Sequence, residues 1–160
     1  MHKSERLGTK LIIFGVLLAI VVVFILFVLP IVFTSSTDLR LGDAIFRAKI
    51  ALNSKDRVKG LIGESELASD RALLMAYPTE GEWGISMNNM TIPIDIVWLD
   101  ANKKVIFIVK NVSPDSSKSV THFPKTSAKY VIELPAGTVD SKSIKVNGVA
   151  KFKLNTQDIK

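Results

Sequence analysis

Residues 87–100 read MNNMTIPIDIVWLD and join a polar segment to the strongest strand pattern in the chain. Isoleucine and valine dominate residues 92–100, and Pro93 favours an extended conformation for the residue before it. Residues 101–104 (ANKK) predict a tight turn, and residues 105–109 return as an apolar run. The centre of the domain is therefore predicted to be an antiparallel hairpin.

Other short apolar runs predict further strands, at residues 44–52, 73–77, 129–134 and 150–154. Residues 55–62 predict a short helix capped by Asn53 or Ser54, and a turn or a second short helix precedes Ile144. The intervals between runs are too short for crossover helices, which disfavours a parallel sheet. We expect a mainly β, β-rich α+β fold, a small barrel-like or sandwich domain with one or two short helices. A long polar loop is expected at residues 111–127.

Residues 11–33 carry no charge and predict a single N-terminal transmembrane helix, since a helix of that length would be roughly 34 Å long. The run is longer than the apolar region of a signal peptide, although small residues at 34–36 leave cleavage open. Lys3, Arg6 and Lys10 precede it. Because charges in a short tail orient a helix, we expect the N-terminus inside and the C-terminal domain outside the cell membrane.

The predicted organisation has five parts: a basic cytoplasmic tail (1–10), the transmembrane helix (11–33), a linker (34–43), a β-rich extracytoplasmic domain (44–154) and a C-terminal tail (155–160). The chain has no cysteine, which excludes a lipoprotein attachment site, a disulfide and a cysteine-based zinc site. The formal net charge of +6 indicates a solubilising surface or weak attraction to anionic envelope polymers and lipid headgroups. No aromatic residues alternate with the lysines, so a nucleic-acid partner is not expected.

Three segments carry a resemblance: RVKGLI (57–62), the stretch 87–100 and YVIELPAGT (130–138). They are similar, in order and spacing, to motifs of the domain of unknown function 192 family, and the similarity spans roughly residues 44–150. The resemblance implies a small β-barrel-like domain with short helices, often secreted or membrane-anchored. It implies no activity, because none is established for the family as a whole.

The sequence departs from the family pattern at three places. Ser86 stands where the family usually has tryptophan, and Asn88 where it usually has lysine or arginine. Ala72 and Leu73 replace a glycine and a methionine. A site built on that aromatic ring and that cation would be altered in this chain.

Four polar residues are candidates for ligand binding: Asn88, Asn89, Asp95 and Glu133. Asp95 lies in an apolar run, where a carboxylate either accepts backbone hydrogen bonds, pairs with a cation or acts at the mouth of a pocket. The two amides either bond local backbone or orient a sugar hydroxyl or a peptide group. Glu133 faces away from its apolar neighbours and is expected to be exposed or paired with Arg57 or a lysine.

No catalytic arrangement is evident, and His122 stands far from His2, so neither a metal nor a cofactor is expected. The leading functional interpretation is a membrane-anchored binding or accessory module whose partner is an envelope polymer or membrane protein. The alternative is an envelope hydrolase or transferase, acting on a polysaccharide or peptide, with Asp95 as general base. A purely structural extracellular domain is a third interpretation.

Overall fold

The computed structural model describes residues 2–23, 36–114 and 120–160. The chain forms two compact units, Met1–Ser35 and Ser36–Lys160. In the first unit helix α1 spans His2–Val23. The predicted transmembrane segment extends beyond α1, and its residues 24–33 lie outside the described residues. Within the described residues, no helix combines the length and apolar character needed to cross a bilayer.

The second unit is mainly β, as predicted from the sequence, with few short helices. Its strands are β1 (Ser36–Leu41), β2 (Ala44–Ala51), β3 (Arg71–Gly81), β4 (Ile85–Ser86), β5 (Ile94–Leu99), β6 (Val105–Val112), β7 (Thr121–His122) and β8 (Ala128–Pro135). Helix α2 spans Ser54–Lys59, α3 spans Thr138–Ser141, and a 3₁₀ turn spans Thr156–Asp158.

Six of the strands form one sheet in the order β1-β2-β3-β8-β5-β6, and β4 pairs with β7 in a separate two-stranded ribbon. β5 and β6 form the predicted antiparallel hairpin. Its turn is held by the Asp100 carboxylate, which accepts from the backbone N–H of Asn102 and Lys104 at 2.8 and 2.9 Å. The hairpin was predictable because its strand period and its turn are both local signals.

Strand β8 lies in the middle of the sheet, antiparallel to β3 on one edge and to β5 on the other. Its side chains alternate between two apolar clusters. Ile132 and Leu134 belong to the cluster that also contains Leu39, Phe46 and Leu74. Val131 belongs to the second cluster, with Met75 and Trp98. Both faces of the sheet are therefore covered at β8.

The predicted linker at residues 34–43 contains a strand, because β1 occupies Ser36–Leu41. Leu39 and Leu41 are buried while their neighbours Asp38 and Arg40 are exposed, which is the period-two pattern of an edge strand. Gly42, at φ 58°, closes the turn into β2, where a Cβ would collide with the Lys142 carbonyl oxygen. Two leucines were too few for the pattern to be recognised in a polar segment.

The sheet also contains a parallel pair, β2 with β3, which the short intervals had disfavoured. Residues 52–70 make the crossover, and α2 lies within it. A single helix of six residues is enough because the rest of the crossover is irregular chain. This crossover places α2 beside the face of the sheet that carries Met75.

The sheet does not close into a barrel, since β1 and β6 are its edge strands. The predicted last strand, residues 150–154, is also reduced to isolated bridges. Lys151 exchanges two hydrogen bonds with Arg40 in β1, and Val149 bridges to Lys104 beside β6. This C-terminal segment covers the first apolar cluster through Ala150 and Phe152.

Candidate functional site

A cleft of about 570 Å³ opens above the second apolar cluster of the sheet. Its floor is formed by side chains of β3 and β8, namely Met75, Tyr77 and Glu133. One wall is α2 with residues 60–62, and the opposite wall is residues 83–86 with residues 88–90. The cleft therefore depends on three separated parts of the sequence.

Helix α2 is fixed at both ends by hydrogen bonds. Asn53 caps its N-terminus, as one of the two predicted caps, and accepts from the Asp56 N–H at 2.9 Å. Gly60 ends the helix at φ 50°, ψ −128°, a backbone conformation that residues with a Cβ rarely adopt. A Cβ at residue 60 would lie 3.9 Å from Glu133 Oε2, in ordinary van der Waals contact, so the glycine is favoured by its positive φ and not by lack of space.

The Arg57 guanidinium ties α2 to the rest of the domain. It donates to the carbonyl oxygens of Leu52 at 2.7 Å, Ala76 at 2.9 Å and Lys160 at 2.7 Å. It also lies 4.8 Å from the centre of the Tyr77 ring. Arg57 lines the cleft, but both of its terminal nitrogens donate to backbone carbonyls, so it positions the wall of the cleft.

Tyr77 and Trp83 form the aromatic part of the cleft. Their rings stack with centroids 4.2 Å apart and planes 8° from parallel. The Trp83 indole donates to the Thr79 carbonyl at 3.2 Å, and the Trp83 carbonyl accepts from the Trp98 indole at 2.8 Å. Burial raises the pKa of Tyr77 to about 12, an effect that Arg57 opposes and Glu133 reinforces.

Glu133 is the unusual group of the cleft. It is 3% exposed, and its Oε2 has no hydrogen-bond partner among the described residues. Burial raises the pKa of its carboxyl from 4.5 to about 8, because an ionised carboxylate there would lose its hydration. At neutral pH the group is therefore mostly a neutral acid that can both donate and accept a hydrogen bond.

The prediction that Glu133 is exposed or paired with Arg57 or a lysine is wrong. No ion pair joins it to Arg57 in the described structure, because the guanidinium is directed to three backbone carbonyls instead. The alternation of residues 129–134 correctly separated Glu133 from Ile132 and Leu134. It could not show that α2 and residues 83–90 cover the face on which Glu133 lies.

The mouth of the cleft is polar. Ser86, Asn88 and Asn89 are exposed and line it, and Ser86 Oγ accepts from the Asn88 N–H at 3.2 Å. Asn89 has φ 60°, a left-handed conformation that asparagine tolerates better than most residues. The predicted residues Asn88, Asn89 and Glu133 are thus brought together, and two of the positions that depart from the family pattern, 86 and 88, lie at this mouth.

Asp95 does not line the cleft. It pairs with Leu134 in the β5–β8 ladder, so its side chain lies on the sheet face opposite Glu133, which pairs with Ile96. It is 0% exposed, and its two oxygens accept from the backbone N–H groups of Asn111 and Val139, each at 2.7 Å. Asp95 therefore holds the bulge at the end of β6 and the start of α3.

Other parts of the described structure offer weaker candidates. No three histidine or acidic side chains lie close enough to bind a metal ion within residues 2–23, 36–114 and 120–160. A second depression, of about 670 Å³, is lined by β1 and the C-terminal segment. Lys103, which lines this depression, already contacts Phe152. Its Nζ donates to the Phe152 carbonyl at 2.9 Å and lies 4.4 Å from the Phe152 ring centre.

The sequence of this domain matches that of a known protein family. The sequence pattern of the family described as DUF192, an uncharacterised ACR, matches residues 37–152. The chain belongs to the domain of unknown function 192 family. The resemblance inferred from residues 57–62, 87–100 and 130–138 is thus confirmed, and each of these DUF192 segments contributes residues to the cleft. No curated protein matches the chain.

Two solved structures share the fold of this DUF192 domain. One is a protein from Sinorhizobium meliloti 1021 described provisionally as a transcription regulator, with a TM-score of 0.70 and 20% identity over 74% of this chain and 95% of that one. The other is a protein of unknown function from Novosphingobium aromaticivorans DSM 12444, with a TM-score of 0.65 and 19% identity over 72% of this chain and 83% of that one. At this identity the similarity concerns the fold alone.

We expect Asp95→Asn to destabilise the domain, by about 1–3 kcal/mol in the free energy of unfolding. An asparagine presents one acceptor oxygen and one N–H₂, so one of the two backbone donors loses its partner. Thermal unfolding of the purified protein measures the change. Asp140→Asn is the matched control, since Asp140 is exposed and, among the described residues, its carboxylate pairs with Lys110 alone. Equal midpoints for the wild type and Asp95→Asn would contradict the structural role.

We expect stability to fall with pH because of Glu133. In the folded state the Glu133 carboxyl, with a pKa of about 8, keeps its proton up to about pH 8. In the unfolded state the same carboxyl releases its proton near pH 4.5. The unfolded state therefore binds fewer protons in this interval, and the free energy of unfolding decreases as pH rises through it, by up to on the order of 4 kcal/mol. Glu133→Gln should remove this decrease and be the more stable protein at pH 9.

Urea unfolding at pH 5, 7 and 9 measures this dependence for the wild type and Glu133→Gln. Glu82→Gln is the control, because Glu82 is exposed and outside the cleft. A wild-type stability that rises from pH 5 to pH 9 relative to Glu133→Gln would show that Glu133 is ionised and stabilised by a partner in the folded protein.

Proposed function

We propose that this protein is a binding module of the cell envelope, anchored in the membrane through residues 11–33, with its β domain outside. The support for the anchor is the uncharged run of that segment, which is long enough to cross a bilayer as a helix. The support for the orientation is the basic tail that precedes it, with Lys3, Arg6 and Lys10.

The observation that carries the binding function is Glu133 Oε2 in the cleft, which has no hydrogen-bond partner within the part of the chain that the structure describes. A buried polar atom without a partner costs on the order of 1–3 kcal/mol, so a ligand that supplies the missing hydrogen bond gains affinity. The volume of about 570 Å³ is in the range of small-ligand sites. An exposed rim of amides adds groups that can select among polar ligands.

Binding is favoured over hydrolysis by the composition of the cleft. Among the described residues that line it, Glu133 is the only carboxyl group and no histidine is present. General acid–base hydrolysis of a glycoside uses two carboxyl groups facing one substrate. Asp95, the other candidate, lies on the opposite face of the sheet with both oxygens occupied.

The orientation can be tested by cysteine labelling, because the chain has no cysteine of its own. We expect Ser69→Cys, in an exposed turn before β3, to react with a membrane-impermeant maleimide in intact cells. Ser4→Cys, in the basic tail, should react only after lysis. The reverse pattern, or recovery of the full chain in the soluble fraction after lysis, would contradict the proposed anchoring.

The binding function can be tested by co-sedimentation of the full-length protein, in detergent, with purified peptidoglycan sacculi. We expect the wild type to sediment and Ser54→Trp to remain in solution, because Ser54 lines the cleft and an indole at this position would fill part of the space that the polymer needs. Ser69→Trp adds the same side chain to an exposed turn outside the cleft and should sediment like the wild type. Sedimentation of all three proteins alike would show that the cleft does not bind this polymer.

A further inference from the structure

The polarity of the cleft changes with depth, and this restricts the ligand that the proposed function requires. The deep residues Leu61, Met75 and Ile85 are apolar and buried, with Glu133 as the one acid among them. The outer residues Asn88 and Asn89 are exposed amides. A complementary ligand has a small, mostly apolar tip with one hydrogen-bonding group, and a body rich in polar groups.

The charge of the surrounding groups indicates which hydrogen-bonding group the tip carries. Two cations line the cleft, Arg57 from α2 and Lys59 at the end of that helix, and they disfavour a cationic ligand. From β3, Tyr77 faces Glu133, and its hydroxyl contacts Met75 Sδ at 3.7 Å. From β5, the neighbour in register is the apolar Ile96. Asp56 of α2 is exposed, accepts from the Asn53 amide at 2.7 Å and does not line the cleft. Among the described residues that line the cleft, no acid other than Glu133 is therefore present.

Glu133 in such surroundings is a neutral acid at pH 7, since burial raises its pKa to about 8. Its hydroxyl hydrogen needs an acceptor. Desolvating a charged acceptor in an apolar pocket costs much free energy, whereas desolvating a neutral carbonyl oxygen costs much less. The group that suits the floor is therefore an amide carbonyl with a small apolar substituent.

Resting on the proposed function, we propose that the cleft binds the acetamido group of an N-acetylated sugar, with the Glu133 carboxyl donating to the acetamido carbonyl oxygen. The acetamido methyl group suits the apolar floor beside Leu61 and Met75. The ring hydroxyls suit the amides of Asn88 and Asn89, which both donate and accept. The ligand class is then a neutral saccharide whose recognition depends on its N-acetyl group.

Isothermal titration calorimetry of the full-length protein in detergent tests this with two soluble probes, tri-N-acetylchitotriose and the fully deacetylated glucosamine trimer. They differ only in the acetyl groups and in the charge of the exposed amines. At pH 7 we expect the acetylated trimer to bind and the deacetylated trimer to bind at least tenfold more weakly. Equal affinity, or tighter binding of the amine, would overturn the acetamido assignment.

The role of Glu133 is tested by variants and by pH. Because the competent state is the protonated one, affinity for the acetylated trimer should fall roughly tenfold from pH 6 to pH 9. Glu133→Gln, which keeps a donor, should retain binding and lose most of this pH dependence. Glu133→Leu should lose at least tenfold in affinity, while the control Glu82→Leu should not. Wild-type affinity for the acetylated trimer that rises with pH would show that an ionised Glu133 accepts a hydrogen bond from the sugar, and would overturn its assignment as the donor.

The two proposals fail separately. If neither trimer binds but sacculi still retain the wild type and not Ser54→Trp, the acetamido assignment is wrong and the binding module remains. If the trimers and the sacculi all fail to bind, both proposals are overturned. Thermal unfolding of each variant establishes that a loss of affinity occurs in a folded protein.

Discussion

The position of β8 constrains most of the domain. Its backbone is hydrogen-bonded to β3 on one edge and to β5 on the other, and its two faces lie in different apolar clusters. A residue in such a strand cannot turn its side chain to solvent without breaking two ladders. Glu133 is therefore held between Leu73 and Ile96, and in the described structure its carboxyl lies at the cleft above.

The cleft above Glu133 is open because the Arg57 guanidinium donates to backbone carbonyls and residue 60 is a glycine. Arg57 is close enough to influence the neighbouring Tyr77, yet its guanidinium is directed to the carbonyls of Leu52, Ala76 and Lys160. Leu52 follows the end of β2, Ala76 lies in β3 where the register with β8 shifts, and Lys160 follows the 3₁₀ turn. The planar fork of arginine satisfies these carbonyls at once. Gly60 then turns the chain away without a side chain over Glu133. The result is a fixed wall beside an acid that forms no ion pair with any described residue.

The parts of this fold that could be predicted from the sequence are those determined by nearby residues. The β5–β6 hairpin follows from period-two strands and a short turn, and the cap of α2 follows from Asn53 three residues before Asp56. β1 was missed because Leu39 and Leu41 alone mark it in a polar segment. The parallel pairing of β2 with β3 was missed because the irregular crossover 52–70 has no periodic signal. The candidate site was partly predictable, since Asn88 and Asn89 were singled out by their place before a strand. The burial of Glu133 was not, because the residues that cover it are distant in the sequence.

The two buried acids of the sheet show why burial alone does not identify a site. Asp95 and Glu133 lie on adjacent strands, one residue apart in register, and on opposite faces. Asp95 meets two backbone N–H groups, of Asn111 and Val139, that have few other partners at a bulge and at a helix start. Removing it would leave those donors unsatisfied, so the fold depends on it. Glu133 meets no donor at Oε2, and the fold would lose no described hydrogen bond from that oxygen if it were replaced. A buried acid that the fold does not use, at the floor of an open cleft, is a group available to a ligand. The same argument applied to Asp95 leads to the opposite conclusion, although Asp95 was the residue predicted as general base of the alternative function.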